Sequence, residues 1–152
     1  MITVNEQVFT LHTRRTTYQM KADAYRVLLH TYYGARVGSA DLSYPIRHAD
    51  RGFSPNPSEA GDWRGYSLDT LPQEYSSCGV GDYRLPSLEL ELPDGSRLTD
   101  LRYTGYERRS GKYTLEGLPA FFGGDEWETL VIFLEDAAAQ ITVELYYGVL
   151  EE

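Results

Sequence analysis

"WETLVIFLEDAAAQITVELYYGVL", residues 127–150, sets the fold class. From Trp127 to Leu134 the stretch is apolar on both faces, the pattern of a central strand covered on two sides rather than of an edge strand. From Ile141 onward the character changes. Ile141, Val143, Leu145, Tyr147 and Val149 alternate with Thr142, Glu144, Tyr146 and Gly148, which is the period-two signature of a strand with two unlike faces. The connector Glu135–Gln140 is too short for a stable helix despite its three alanines. The two strands are therefore expected to pair antiparallel.

The same period recurs upstream. Ile2, Val4 and the run Val8–Leu11 read as a first strand or hairpin, followed by strands over 17–22 and 25–33, the latter with Tyr25, Val27, Leu29 and Thr31 on one face. "LELEL", 88–92, puts Leu88, Leu90 and Leu92 inward and Glu89 and Glu91 outward. Pro93-Asp94-Gly95-Ser96 is a strong turn signal, and a second arm runs from Arg97 towards Tyr106, so Leu88–Arg109 is expected to be a hairpin. No amphipathic helix longer than ten residues and no internal repeat is visible. Strands at this spacing with Gly- and Pro-rich turns specify an all-β chain, an antiparallel β-sandwich. The closing "LYYGVLEE" keeps its strand pattern almost to the last residue and reads as a chain cut at a strand end.

A chain of 152 residues is one domain in length and supports a real core. Its 14 Lys+Arg against 23 Asp+Glu give a net charge of −9, with the acidic residues scattered along the chain. That balance argues against a nucleic-acid partner and against anionic membranes, which attract basic clusters lacking here beyond pairs such as Arg14-Arg15 and Arg108-Arg109. The single cysteine, Cys78, excludes an internal disulfide and suits a reducing compartment, hence a cytoplasmic location. The first thirteen residues carry no signal-peptide pattern, and no window reaches the ~20 apolar residues of a membrane span.

Chemistry-bearing motifs are sparse. His12, His30 and His48 have no partner at metal-ligand spacing, Cys78 has no Cys-x-x-Cys companion, and no Gly-x-Ser-x-Gly elbow occurs. "GVGDYR", 79–84, lacks the third glycine and following helix of a phosphate cradle. No cofactor and no metal site is expected. One segment stands apart: "DRGFSPNPSEAGDWRGYSLDTLPQEY", 50–75, a long connection without regular periodicity. Its Phe53, Trp63, Tyr66, Leu68, Leu71 and Tyr75 carry more apolar surface than a solvated linker needs, so it is expected to pack against something. Asp50, Asp62, Arg64 and Asp69 beside aromatic faces are ingredients of carbohydrate recognition, though composition alone favours their being the caps and braces of an irregular loop.

"HTYYGAR" (30–36), "FSPNP" (53–57), "SLDTLPQEY" (67–75), "GVGDYRLP" (79–86), "DGS" (94–96), "LRY" (101–103), "GK" (111–112) and "LEGLPA" (115–120) resemble, in order and spacing, the amino-terminal domain of α-galactosidases of glycoside hydrolase family 36. Tyr33 stands where the family has Trp, and Ser76-Ser77-Cys78 replaces a Pro-containing stretch. The resemblance implies the first part of an N-terminal β-supersandwich, with residues 1–152 a truncated, non-catalytic domain. The catalytic barrel and its two aspartates lie outside the sequence, so no catalytic residue is expected in this chain. The parent would be a retaining glycosidase removing terminal α-D-galactosyl residues from melibiose- and raffinose-type sugars. It would be a homo-oligomer, a tetramer in the tetrameric members, in which the long loop closes over a neighbouring subunit's galactose site. By the same resemblance Asp50 and Arg64 are the substrate-binding residues, and Phe53, Trp63 and Tyr66 serve subunit contact or loop packing. A free-standing sugar-binding module and a purely structural scaffold are the alternatives.

Overall fold

The computed structural model describes residues 1–50, 52 and 56–150. Four strands, β1 (Ile2–Asn5), β2 (Val8–His12), β3 (Thr16–Ala22) and β4 (Leu28–Ala35), form an antiparallel sheet in sequence order. A second antiparallel sheet holds β5 (Arg102–Ser110), β6 (Trp127–Asp136) and β7 (Ile141–Leu150), with β6 in the middle. The expected 127–150 pair is thus present, with Trp127 opposite Leu150 and Asp136 opposite Ile141. The connector between them does not go helical, because Asp136 turns its carboxylate back onto the N–H groups of Ala138 and Ala139 at 3.0 and 2.9 Å. The described helical residues are two 3₁₀ turns, Ser58–Ala60 and Leu68–Thr70.

The sheets meet over one core. Phe9 and Met20 from the first sheet and Leu130, Ile132 and Leu134 from the second are essentially inaccessible, with Leu101 and Tyr103 beside them. Phe9 lies 5.6 Å from the ring of Tyr103 and 5.3 Å from that of Tyr106, tilted and edge-on as aromatic quadrupoles favour. The outer face of the first sheet is polar and yet buried. Thr10, His12, Thr17 and Gln19 are covered by the chain that leaves β4. Gln19 donates to Thr10 Oγ1 and to the Ala40 carbonyl, and accepts from Thr31 and from the Leu42 N–H, at 2.9–3.1 Å. His12 bridges Thr17 and Ser39, and Thr17 Oγ1 receives the Val37 N–H at 3.0 Å. These bonds let a polar face be buried without orphaned donors, and they steer residues 37–42 back across the sheet.

Two expected strands differ. The strand read from Tyr25 begins only at Leu28, because Asp23 accepts the N–H groups of both Tyr25 and Val27 at 2.9 Å and Arg26 adopts φ 62° between them. The 88–109 hairpin keeps its turn, with Leu92 and Ser96 bonded at 2.8 Å around Gly95 at φ 82°, but the ladder stops there. The reason is competition for the second arm: Thr99 N–H donates to the Cys78 carbonyl and Leu101 N–H to Ser77 Oγ, both at 2.9 Å. Residues 88–92 nevertheless alternate as read, leucines half-buried and glutamates exposed.

Candidate functional site

The described residues between Leu42 and Tyr75 form the candidate site, built on the outer side of β4. A second apolar cluster fixes it there, in which Tyr66, Leu68 and Leu71 of the loop pack on Val27 and Leu29. Tyr66 is 1% exposed and its hydroxyl donates to Asp23 Oδ2 at 2.5 Å. Burial, followed by the bond to Asp23 and its charge, pushes the Tyr66 hydroxyl pKa far above its ordinary value. The loop's exit is pinned twice more. His30 N–H donates to the Pro72 carbonyl and Glu74 N–H to the Leu28 carbonyl, at 2.7 and 2.9 Å. Glu74, its side chain 9% exposed, then receives the hydroxyls of Tyr18 and Tyr147 and lies 3.4 Å from His30 Nδ1. One carboxylate so ties the loop to both sheets.

On this base sits the exposed part. Asp50 and Arg64 are brought together across the loop: Arg64 Nε is 3.2 Å from Asp50 Oδ2, its NH2 is 3.2 Å from Oδ1, and the same nitrogen donates to the Gly52 carbonyl at 2.8 Å. Asp50 Oδ1 also accepts the Gly52 N–H at 2.6 Å, which closes a local turn. Both side chains remain open to solvent, 52% and 62% exposed for Asp50 and Arg64. Trp63 is next to them. Its indole lies 4.8 Å from the His48 ring and 5.5 Å from that of Tyr66, and it stays 45% exposed. Gly65 permits this placement, because a Cβ there would meet Trp63 Nε1 at 2.8 Å.

Of the aromatic residues read as subunit contact or loop packing, Tyr66 is therefore inside its own domain, Trp63 presents a free face, and Phe53 lies outside the described residues. Asp62 is exposed, and Asp69 accepts from Ser67 Oγ at 2.6 Å. Sequence reading missed Asp23, Glu74, Asp82 and Arg84 as braces of this loop. The last three sit in the quoted motifs "SLDTLPQEY" and "GVGDYRLP", which was the available signal.

The model of the glycosyl hydrolase family 36 N-terminal domain matches residues 26–152. The chain belongs to glycosyl hydrolase family 36. This family 36 domain is 52% identical over 149 residues to the bifunctional alpha-galactosidase/sucrose kinase AgaSK of Mediterraneibacter gnavus, a match covering 97% of the chain and 16% of that protein. Against the solved galactosidase domain of AgaSK it superposes with a TM-score of 0.95 at 50% identity, over 100% of this chain and 21% of that one. The family 36 alpha-galactosidase AgaA of Geobacillus stearothermophilus, solved in complex with raffinose, gives a TM-score of 0.86 at 38% identity, over 95% of this chain and 20% of that one. The chain thus spans about a fifth or less of the length of these relatives. The expected family and the two antiparallel sheets are those of the N-terminal domain of family 36 enzymes.

Proposed function

We propose that these 152 residues are the non-catalytic N-terminal domain of a larger alpha-galactosidase, one that hydrolyses terminal α-D-galactosyl residues of melibiose- and raffinose-type sugars. Residues 1–152 are the first part of that enzyme's N-terminal β-domain, and the retaining chemistry is carried by two carboxylates elsewhere in it. In a homo-oligomer of the cytoplasm, the 42–75 loop lines the galactose site of the neighbouring subunit. The observation that carries this reading is the Asp50–Arg64 pair, a carboxylate and a guanidinium held together yet both more than half exposed on a loop whose other side is locked into the domain.

A carboxylate accepts from adjacent sugar hydroxyls while a guanidinium donates to them, in charge-assisted bonds worth ~1.5 to 3 kcal/mol each. As an isolated surface ion pair the two would contribute only ~0 to 1 kcal/mol to stability, so holding them in register serves recognition better than folding. Asp50→Ala and Arg64→Ala in the full-length enzyme are expected to lower kcat/KM at least about tenfold with the oligomer and melting temperature unchanged. Wild-type kinetics in both variants would remove the pair from the site. Affinity of the isolated 152 residues for melibiose would favour an autonomous sugar-binding module instead.

A further inference from the structure

The two charged residues of the Gly79–Arg84 stretch, Asp82 and Arg84, converge on the loop that carries Asp50 and Arg64. The Asp82 side chain is 1% exposed. It accepts four bonds: the Arg84 backbone N–H at 3.0 Å, Arg84 Nε at 2.9 Å, Arg84 NH2 at 2.7 Å and Gln73 Nε2 at 2.7 Å. Burial would raise the pKa of this carboxyl, but the side-chain and backbone bonds and the charge of Arg84, with Gln73, outweigh it and hold the pKa below the usual carboxylate range. Asp82 is thus a fixed anion that sets the guanidinium in one orientation. In that orientation Arg84 NH2 reaches the carbonyls of Leu68 and Leu71, both at 2.9 Å, which bracket the 3₁₀ turn Leu68–Thr70.

We propose that Arg84, oriented by Asp82, is a positioning residue for the loop, fixing the 3₁₀ turn from which Trp63 and Arg64 are presented. The turn is four residues from Arg64, and the chain between them has little freedom: Tyr66 is buried and its N–H donates to the Trp63 carbonyl at 3.1 Å. A displacement of the Leu68 carbonyl is transmitted to Trp63 and Arg64. Arg84 itself is 47% exposed in its side chain, so the core does not require it. Its value lies in the fork geometry, which serves the Asp82 carboxylate and two backbone carbonyls together; a lysine ammonium carries the charge without the planar fork.

The inference rests on the proposed role of Arg64 in the neighbouring active site, and a double-mutant cycle in the full-length enzyme separates the two. Arg84→Lys is expected to lower kcat/KM about tenfold and to speed amide exchange across 63–71. The melting temperature should stay within about 2 °C of wild type. Added to Arg64→Ala, it should cost less than about twofold more, since both changes act through one loop. If Arg64→Ala is impaired but Arg84→Lys is silent, or if their effects multiply in full, the positioning role is overturned and the site reading stands. Unchanged exchange across 63–71 in Arg84→Lys overturns it as well. Wild-type kinetics in Arg64→Ala overturns the positioning role, and wild-type kinetics in Asp50→Ala as well overturns the site reading with it.

Discussion

Replacing Tyr66 by Phe removes one oxygen atom from a side chain that is 1% exposed and leaves its ring in place. The lost bond is the 2.5 Å donation to Asp23 Oδ2, and a hydrogen bond to a charged group contributes about 1.5–3 kcal/mol. Asp23 keeps the Tyr25 and Val27 N–H groups on Oδ1, so it stays in place with one oxygen short of a donor. The expected loss of unfolding free energy is therefore about 2 kcal/mol. With a urea m-value on the order of 2 kcal/mol/M, the midpoint falls by about 1 M while m is unchanged.

A pH arm sharpens the test. The Tyr66 pKa is raised in the folded state, so its contribution is complete below the unfolded tyrosine value of about 10 and is lost as pH rises above it, because the unfolded chain ionises first. Between pH 10 and about 12 the stability gap between wild type and Tyr66→Phe should narrow. A change below about 0.5 kcal/mol at pH 7, or a gap that widens with alkalinity, would refute the view that the loop is bolted to its own domain through Tyr66.

Leu71, fully buried beneath the loop, should cost about 2–5 kcal/mol when changed to Ala, measured by the same urea titration. Gln19→Leu should cost about 1–3 kcal/mol in the same titration, since it takes its donor from the buried Thr10 Oγ1 and releases the Ala40 carbonyl and the Leu42 N–H; a neutral result would mean that the 37–42 crossing is not held there. By contrast Asp50→Ala and Arg64→Ala should each shift stability by less than about 1 kcal/mol, because the pair is exposed. Tyr18 and Tyr147 have pKa values raised chiefly by burial, with Glu74's bond and charge adding to it, so the chain should lose stability steeply above pH 10. Replacing both by Phe should flatten that alkaline limb in a pH-dependent melting series.

Arg64 and Asp50 became legible as a pair only through the resemblance of their surroundings to family 36, since fourteen positions separate them and nothing periodic links them. Trp63 and Tyr66 are three residues apart, and composition treated them alike. The fold gives one a solvent face and the other a place under the loop, because Asp23 and Val27 stand behind Tyr66.

The sequence by itself determined the all-β class, the antiparallel 127–150 pair, extended structure at the N-terminus and the turn at Pro93–Ser96, since each depends on side-chain period and turn chemistry within a few neighbouring residues. Even "LELEL" showed its faces correctly while its ladder failed to form, because facing is local and pairing is not. Only the tertiary structure decided that the Ser77–Cys78 stretch would take the donors of the second arm, that the polar face of Gln19 would be covered, and that Glu74, Asp82 and Arg84 would brace the loop. Those outcomes join residues as far apart as 43 positions for Tyr66 with Asp23 and 73 for Tyr147 with Glu74. Which partner a buried hydroxyl or carboxylate meets at such separations is set by how two sheets and a long connection pack, and no local pattern encodes it.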